Sequence, residues 1–167
     1  MNIRLFDEKF RENKTRYVAQ AVLGSMAVGA ALFWFDIVRN PVVIASFGAS
    51  GFIAFTEPRQ KFSGPRYLIG GYIIGMVVGA SAHYLTVFPV HHYMTLKLIH
   101  IAAGVLAVGL AMFLMSITNT EHAPASSIAL GLVINDWDHI IIVKILVGII
   151  IISMSQRALR RWMIDLV

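Results

Sequence analysis

The chain has 167 residues, 57% of them hydrophobic and 14% charged, with a formal net charge of +5 and no cysteine. Soluble domains carry about one-quarter charged residues, so a mean hydropathy of +0.72 points to the bilayer as solvent. The length suits one membrane domain, and without cysteine neither a disulfide framework nor a thiolate metal site is available. The basic residues gather at the ends of apolar segments, which argues against nucleic acid as a partner. No nucleotide-binding loop, zinc-protease motif or nucleophile elbow occurs, so neither enzymatic activity nor a cofactor is expected.

The N-terminal 1–16, MNIRLFDEKFRENKTR, is mixed-charge and amphipathic, without the apolar core or cleavage site of a signal peptide. It reads as a cytoplasmic interfacial helix with Leu5, Phe6 and Phe10 toward lipid, or as a solvated tail. Four segments, 17–35, 67–88, 96–117 and 139–156, reach the length of about 20 residues that a crossing needs. Two more, 41–56 and 122–134, are apolar but short. If both short segments cross and the N-terminus is cytoplasmic, then Arg4, Lys9, Arg11, Lys14, Arg16, Arg59, Lys61, Arg66, Arg157, Arg160 and Arg161 lie inside. Arg39 and Lys97 lie outside. If the short segments re-enter instead, Arg59, Lys61 and Arg66 move out, so the positive-inside rule prefers six crossings. The expected fold is all-α transmembrane in the cell's inner (plasma) membrane, with one domain over 17–156, a tail 157–167, and both termini cytoplasmic.

Six crossings divide into inverted repeats over 17–88 and 96–156, each ordered long, short, long. GASGFIA (48–54) lies over PASSIAL (124–130), within the two short segments. Paired short or interrupted spans are the best sequence pointer to a transporter's binding site. Gly71, Gly75 and Gly79 share a helix face, with Ala103, Ala107 and Ala111 as a softer version in the next span. Such stripes bring helices close, within the chain or between subunits, and so thin a bundle suggests a homo-oligomer.

In 41–56, Pro41 and the β-branched Val42, Val43 and Ile44 suit an extended lead-in, with a helix starting near Gly48. In the second repeat TNTEHA is the extended lead-in and Pro124 the first helical residue. Six extended residues reach about 20 Å and ten to twelve helical ones about 15–18 Å, enough together for a core of about 30 Å. Two half-helix N-termini would then meet near the midplane as anion sites. The residues at stake are Ser46, Gly48, Ala49, Ser50 and Gly51, with His122, Pro124, Ala125, Ser126 and Ser127. The other reading is that the serines bond back to the preceding turn and the small residues pack.

Thr118, Asn119, Thr120 and Glu121 lie where access or coupling would be set. Glu121 and His122 fit a proton relay, a metal pair or an ordinary loop; no His or Glu spacing supports a metal site. His91 and His92 sit in an external loop, and His83 and His100 inside spans, where neutral packing competes with function. Lys144, about 8 Å into the last span, either snorkels outward or serves as an anion counter-charge. Asn135-Asp136-Trp137-Asp138 reads as an external loop with an interfacial tryptophan, and Trp34 and Trp162 sit at span ends.

SFGASGFIAFTEPRQKFSGPRYLIGG (46–71) resembles the first signature of the HPP family of integral membrane proteins, through Ser46, Phe47, Gly48, Ala49, Ser50, Pro58, Pro65, Arg66, Gly70 and Gly71. TNTEHAPASSIALG (118–131) resembles the Thr-Gly-Thr-x-His-Pro-Pro-x-Gly-Ala element that names it, through Thr118, Thr120, His122 and Pro124. There Asn119 replaces Gly, Ala123 the first Pro, and Ser126-Ser127 the Gly-Ala. The resemblance, over roughly 40–150, implies nitrite transport; the family is often described with four spans, whereas the charge count favours six. The expected function is a transporter or channel for a small inorganic anion, nitrite first, coupled to protons through His122, whose ordinary pKa lies near physiological pH. A non-transporting assembly or regulatory subunit is the alternative.

Overall fold

The computed structural model describes residues 8–33, 40–87 and 93–166. Among them the regular structure is six α-helices and two 3₁₀ turns. α1 (Glu8–Phe33), α4 (Tyr93–Thr118) and α6 (His139–Leu159) are the longest. Each contains a stretch long and apolar enough to cross a membrane: Glu12–Phe33, Thr95–Thr118 and, running past the end of α6, His139–Trp162. α3 (Pro65–His83) has 19 residues and ends before the expected limit at 88. There Thr86 closes a turn, placing its N–H (2.8 Å) and its hydroxyl (2.7 Å) on the His83 carbonyl. α2 (Pro41–Thr56) and α5 (Ala123–Ile134) are the short apolar helices, of 16 and 12 residues.

Local chemistry sets the boundaries. Proline opens α2 and α3 and takes the second position of α5, where its missing N–H removes no helical bond. Asp138 caps α6, its Oδ1 accepting from the Ile141 N–H at 3.1 Å. From Glu8 the N-terminal segment is helical, and a kink at Asn13 (φ −123°, ψ 28°) separates it from the span. Phe10 packs edge-on against Tyr17 across that kink, 5.4 Å between centroids. Leu5, Phe6, Trp34, Arg39, His91 and His92 lie outside the described residues.

Two expectations are corrected. α2 has no extended lead-in; it is helical from Pro41, with Asn40 as N-cap. Extended backbone in hydrocarbon would leave N–H and C=O groups unsatisfied at several kcal/mol each, whereas β-branched residues in a helix cost at most about 0.7 kcal/mol each. The amides of 48–51 are therefore helix interior, not a helix start. The lead-in to α5 is shorter than six residues, because α4 holds Thr118 and α5 begins at Ala123.

The helices assemble around small residues. On α3, a Cβ placed at Gly71 would lie 2.8 Å from His122 Cβ, and one at Gly79 would lie 2.7 Å from the Ala129 carbonyl oxygen; Gly75 meets the Ala125 carbonyl closer still. The glycine stripe thus seats α5, inside the chain. Ala103, Ala107 and Ala111 of α4 are buried with it. At one end of the bundle the C-terminal segment is tied down. Gln20 of α1 donates to Phe55 O (2.8 Å) and Ile164 O (2.9 Å) and accepts from Ile164 N–H (3.0 Å). Tyr17 donates to Leu166 O, and Leu166 N–H to Thr56 O, both at 2.7 Å.

Candidate functional site

α4 turns into α5 through Asn119, whose φ of 54° is the left-handed region, one that asparagine tolerates better than most residues. The turn is pinned from both sides. The Thr120 N–H reaches Met115 O at 2.9 Å, and the Thr118 and Thr120 hydroxyls meet at 2.8 Å. From α3, Arg66 donates to Thr118 O (3.0 Å) and Tyr67 to Asn119 Oδ1 (3.2 Å). Thr120 and His122 are thereby carried into the bundle.

There His122 meets a polar chain. Its Nε2 lies 2.8 Å from Ser50 Oγ, which lies 2.8 Å from the Tyr72 hydroxyl. Tyr72 in turn lies 2.8 Å from Ser46 Oγ, which donates to the Pro124 carbonyl at 2.5 Å. Ser50 and Tyr72 are 0% exposed, Ser46 and His122 2%. Each hydroxyl has one proton, so the end of the chain dictates the rest. Ser46 gives its proton to Pro124 O, hence accepts from Tyr72; Tyr72 accepts from Ser50; Ser50 accepts from an Nε2–H of His122. Of the two neutral tautomers only this one satisfies all four contacts, and it leaves Nδ1 a bare acceptor. Nδ1 makes no hydrogen bond of ordinary geometry, although the Phe62 backbone lies close to the ring.

Beside it, between α4 and the start of α5, an open cavity of about 210 Å³ is lined by Met112, Met115, Ser116, Glu121, His122 and Ser126, with Ala123 at its edge. Glu121 Oε2 is also buried without a partner.

The structure brings together only part of the expected set. Ser46, Ser50, His122 and the Pro124 carbonyl join in the cluster, and Glu121 and Ser126 line the cavity. Gly48 and Ala49 face outward from α2, and Gly51 meets Val28 of α1. Ala125 packs against Gly71 and Gly75. Ser126 and Ser127 donate back to Ala123 O (2.7 Å) and Pro124 O (2.9 Å). Lys144 lies half-buried in the second turn of α6, toward the end where α5 finishes. His83 packs on Trp137, 5.2 Å between centroids, and His100 uses Nδ1 on the Leu96 carbonyl, 2.9 Å. Tyr72 was missed; the available signal was a tyrosine within an apolar glycine stripe, whose hydroxyl needs a partner once buried.

The family model described as HPP, transmembrane region, matches residues 10–163. The chain belongs to the HPP family. Within the family's naming element, Asn119 stands at the glycine position, and its positive φ shows why that position favours glycine. A transmembrane protein of Dictyostelium discoideum is 35% identical over 89 residues, 53% of this HPP chain and 29% of that protein. The match thus spans under a third of the relative's length. No solved structure matches this HPP protein.

Proposed function

We propose that this HPP protein is a multi-pass carrier of a small inorganic anion, nitrite first, with both termini in the cytoplasm of a cell whose inner (plasma) membrane it crosses. The observation that carries the reading is the buried chain His122–Ser50–Tyr72–Ser46 beside an open cavity. Polar and ionisable groups inside a membrane domain are expensive and mark ion and proton pathways. Each hydroxyl proton is committed within the chain, so an anion in the cavity would need the His122 ring as its donor.

The helix contacts support two inverted units. α1 packs on α2 and α6 as α4 packs on α5 and α3; α2 meets α6 as α5 meets α3; α2–α5 and α3–α6 complete the set. Exchanging the first three helices with the last three leaves this pattern unchanged. The basic residues around Arg59, Arg66 and Arg157 gather at the bundle end that holds the tail, which supports a cytoplasmic assignment.

One observation favours a second reading. The cluster is satisfied internally apart from Nδ1, as a lock between α2, α3 and α5 would be, which suits an assembly or regulatory subunit. Flux separates the two. Purified protein in liposomes is expected to admit nitrite above protein-free controls, compared with nitrate, formate and chloride, and to slow with Ser50→Ala or Tyr72→Phe. Folded protein that moves none of the four anions refutes the carrier and leaves the subunit.

A further inference from the structure

Away from the α5 cluster, four guanidinium side chains converge. Arg59 from the α2–α3 connection and Arg157, Arg160 and Arg161 from the end of α6 line one open cavity of about 580 Å³. Two of them are held by backbone: Arg59 donates to Met163 O and Arg160 to Arg59 O, each at 3.2 Å. Each guanidinium has five N–H donors, so most remain available. Gln156, 1% exposed, donates to Pro58 O at 2.8 Å and fixes the adjoining wall. The neighbouring carboxylate, Asp165, places Oδ1 on the Arg59 backbone N–H at 2.9 Å rather than on a guanidinium. Among the described residues none of the four arginines is ion-paired.

The position matters as much as the charge. Arg161 lies 5.1 Å over the ring of Trp162, which is 69% exposed. Exposed tryptophan at a span end marks the headgroup level, so the cavity opens there. Uncompensated guanidiniums around a concavity attract an anion, and their planar fork matches phosphate oxygens two at a time. Basic pockets between helices on the cytoplasmic side bind lipid headgroups.

We propose that this arginine cavity binds a phosphate group, supplied by the headgroup of an anionic phospholipid or by dissolved phosphate. The test titrates the purified full-length protein in neutral detergent with phosphatidylglycerol, phosphatidylcholine and inorganic phosphate, reading adducts by native mass spectrometry. Phosphatidylglycerol is expected to bind saturably and phosphatidylcholine not. The double variant Arg157→Gln, Arg161→Gln spares the two backbone-anchored arginines. It is expected to weaken phosphatidylglycerol binding by about 25-fold, at roughly fivefold per arginine near a membrane surface. Lys97→Gln, at the start of α4, leaves binding unchanged. Displacement by inorganic phosphate assigns the site to phosphate in either form; resistance to displacement assigns it to the lipid. Equal binding of both phospholipids, or unchanged binding by the double variant with wild-type circular dichroism, overturns the proposal.

Discussion

Replacing Gly71 by alanine tests whether the seat of α5 is as tight as the geometry requires. The added Cβ would lie 2.8 Å from His122 Cβ, 3.0 Å from Thr120 O and 3.3 Å from Ala125 Cβ, where ordinary contact begins at 3.4 Å. All three neighbours are backbone or fixed to it, so α5 must retreat by about 0.6 Å, and overpacking of this kind costs about 1–3 kcal/mol. For a chain of this size that lowers the unfolding midpoint by roughly 5 °C. The movement also stretches the Ser50–His122 bond from 2.8 Å. Gly29→Ala and Gly48→Ala are the controls, since a Cβ at either meets nothing within 4 Å. There alanine replaces glycine in an open helix interior, which gains up to about 1 kcal/mol. Thermal unfolding of the detergent-solubilised proteins, followed by size-exclusion chromatography, reads the two signs. If Gly71→Ala and Gly48→Ala shift the midpoint in the same direction, close packing on α3 does not seat α5.

Three other substitutions address separate parts of the fold. Tyr72→Phe removes the hydroxyl between Ser46 and Ser50 and is expected to destabilise by about 1–3 kcal/mol, read as a lower midpoint, while slowing nitrite uptake. Gln20→Ala deletes three hydrogen bonds, a buried one to Phe55 and two part-buried ones to Ile164, a loss of about 2–4 kcal/mol; hydrogen exchange should rise at Met163–Leu166 with α5 unaffected. Asn119→Gly should leave the midpoint near wild type, relieving the left-handed backbone while losing the Tyr67 contact, whereas Asn119→Leu should lower it by the equivalent of about 1–2 kcal/mol.

Hydropathy and charge placed all six helices, because a bilayer leaves few alternatives for an apolar run bounded by arginine and glycine. The lead-in of α2 was misread for a related reason. Pro41 and three β-branched residues are an extended signal in water, but hydrocarbon makes unpaired backbone dearer than a poor propensity. Three of the cluster's four side chains were legible: Ser46, Ser50 and His122 stand out as polar residues in short apolar segments. Tyr72 was not, because its partners are 26 and 22 residues away on another helix, and one chain's periodicity says nothing of such pairings. Nor did spacing show that Ser126 and Ser127 turn back to α5 while Ser50 reaches across.

The protonation pattern of the cavity carries the last prediction. Pro124 O accepts from both Ser46 and Ser127, and the Ser46 bond orders every proton back to the Nε2–H of His122. Nδ1 is then an acceptor without a donor, and Glu121 Oε2, in the same cavity wall, is a second one. Two bare acceptors repel an anion that arrives alone. A proton delivered to Nδ1 turns that atom into a charged donor, after which the anion has a partner; a protonated substrate would meet the same need. Either way one proton accompanies each anion, so nitrite uptake into liposomes is expected to be faster from an acidic outer medium than from an alkaline one, because that medium supplies the proton. Glu121→Gln supplies a donor of its own and should flatten this dependence. Uptake equal at both pH values in the wild-type protein would show that the bare acceptors have no part in the passage of the anion.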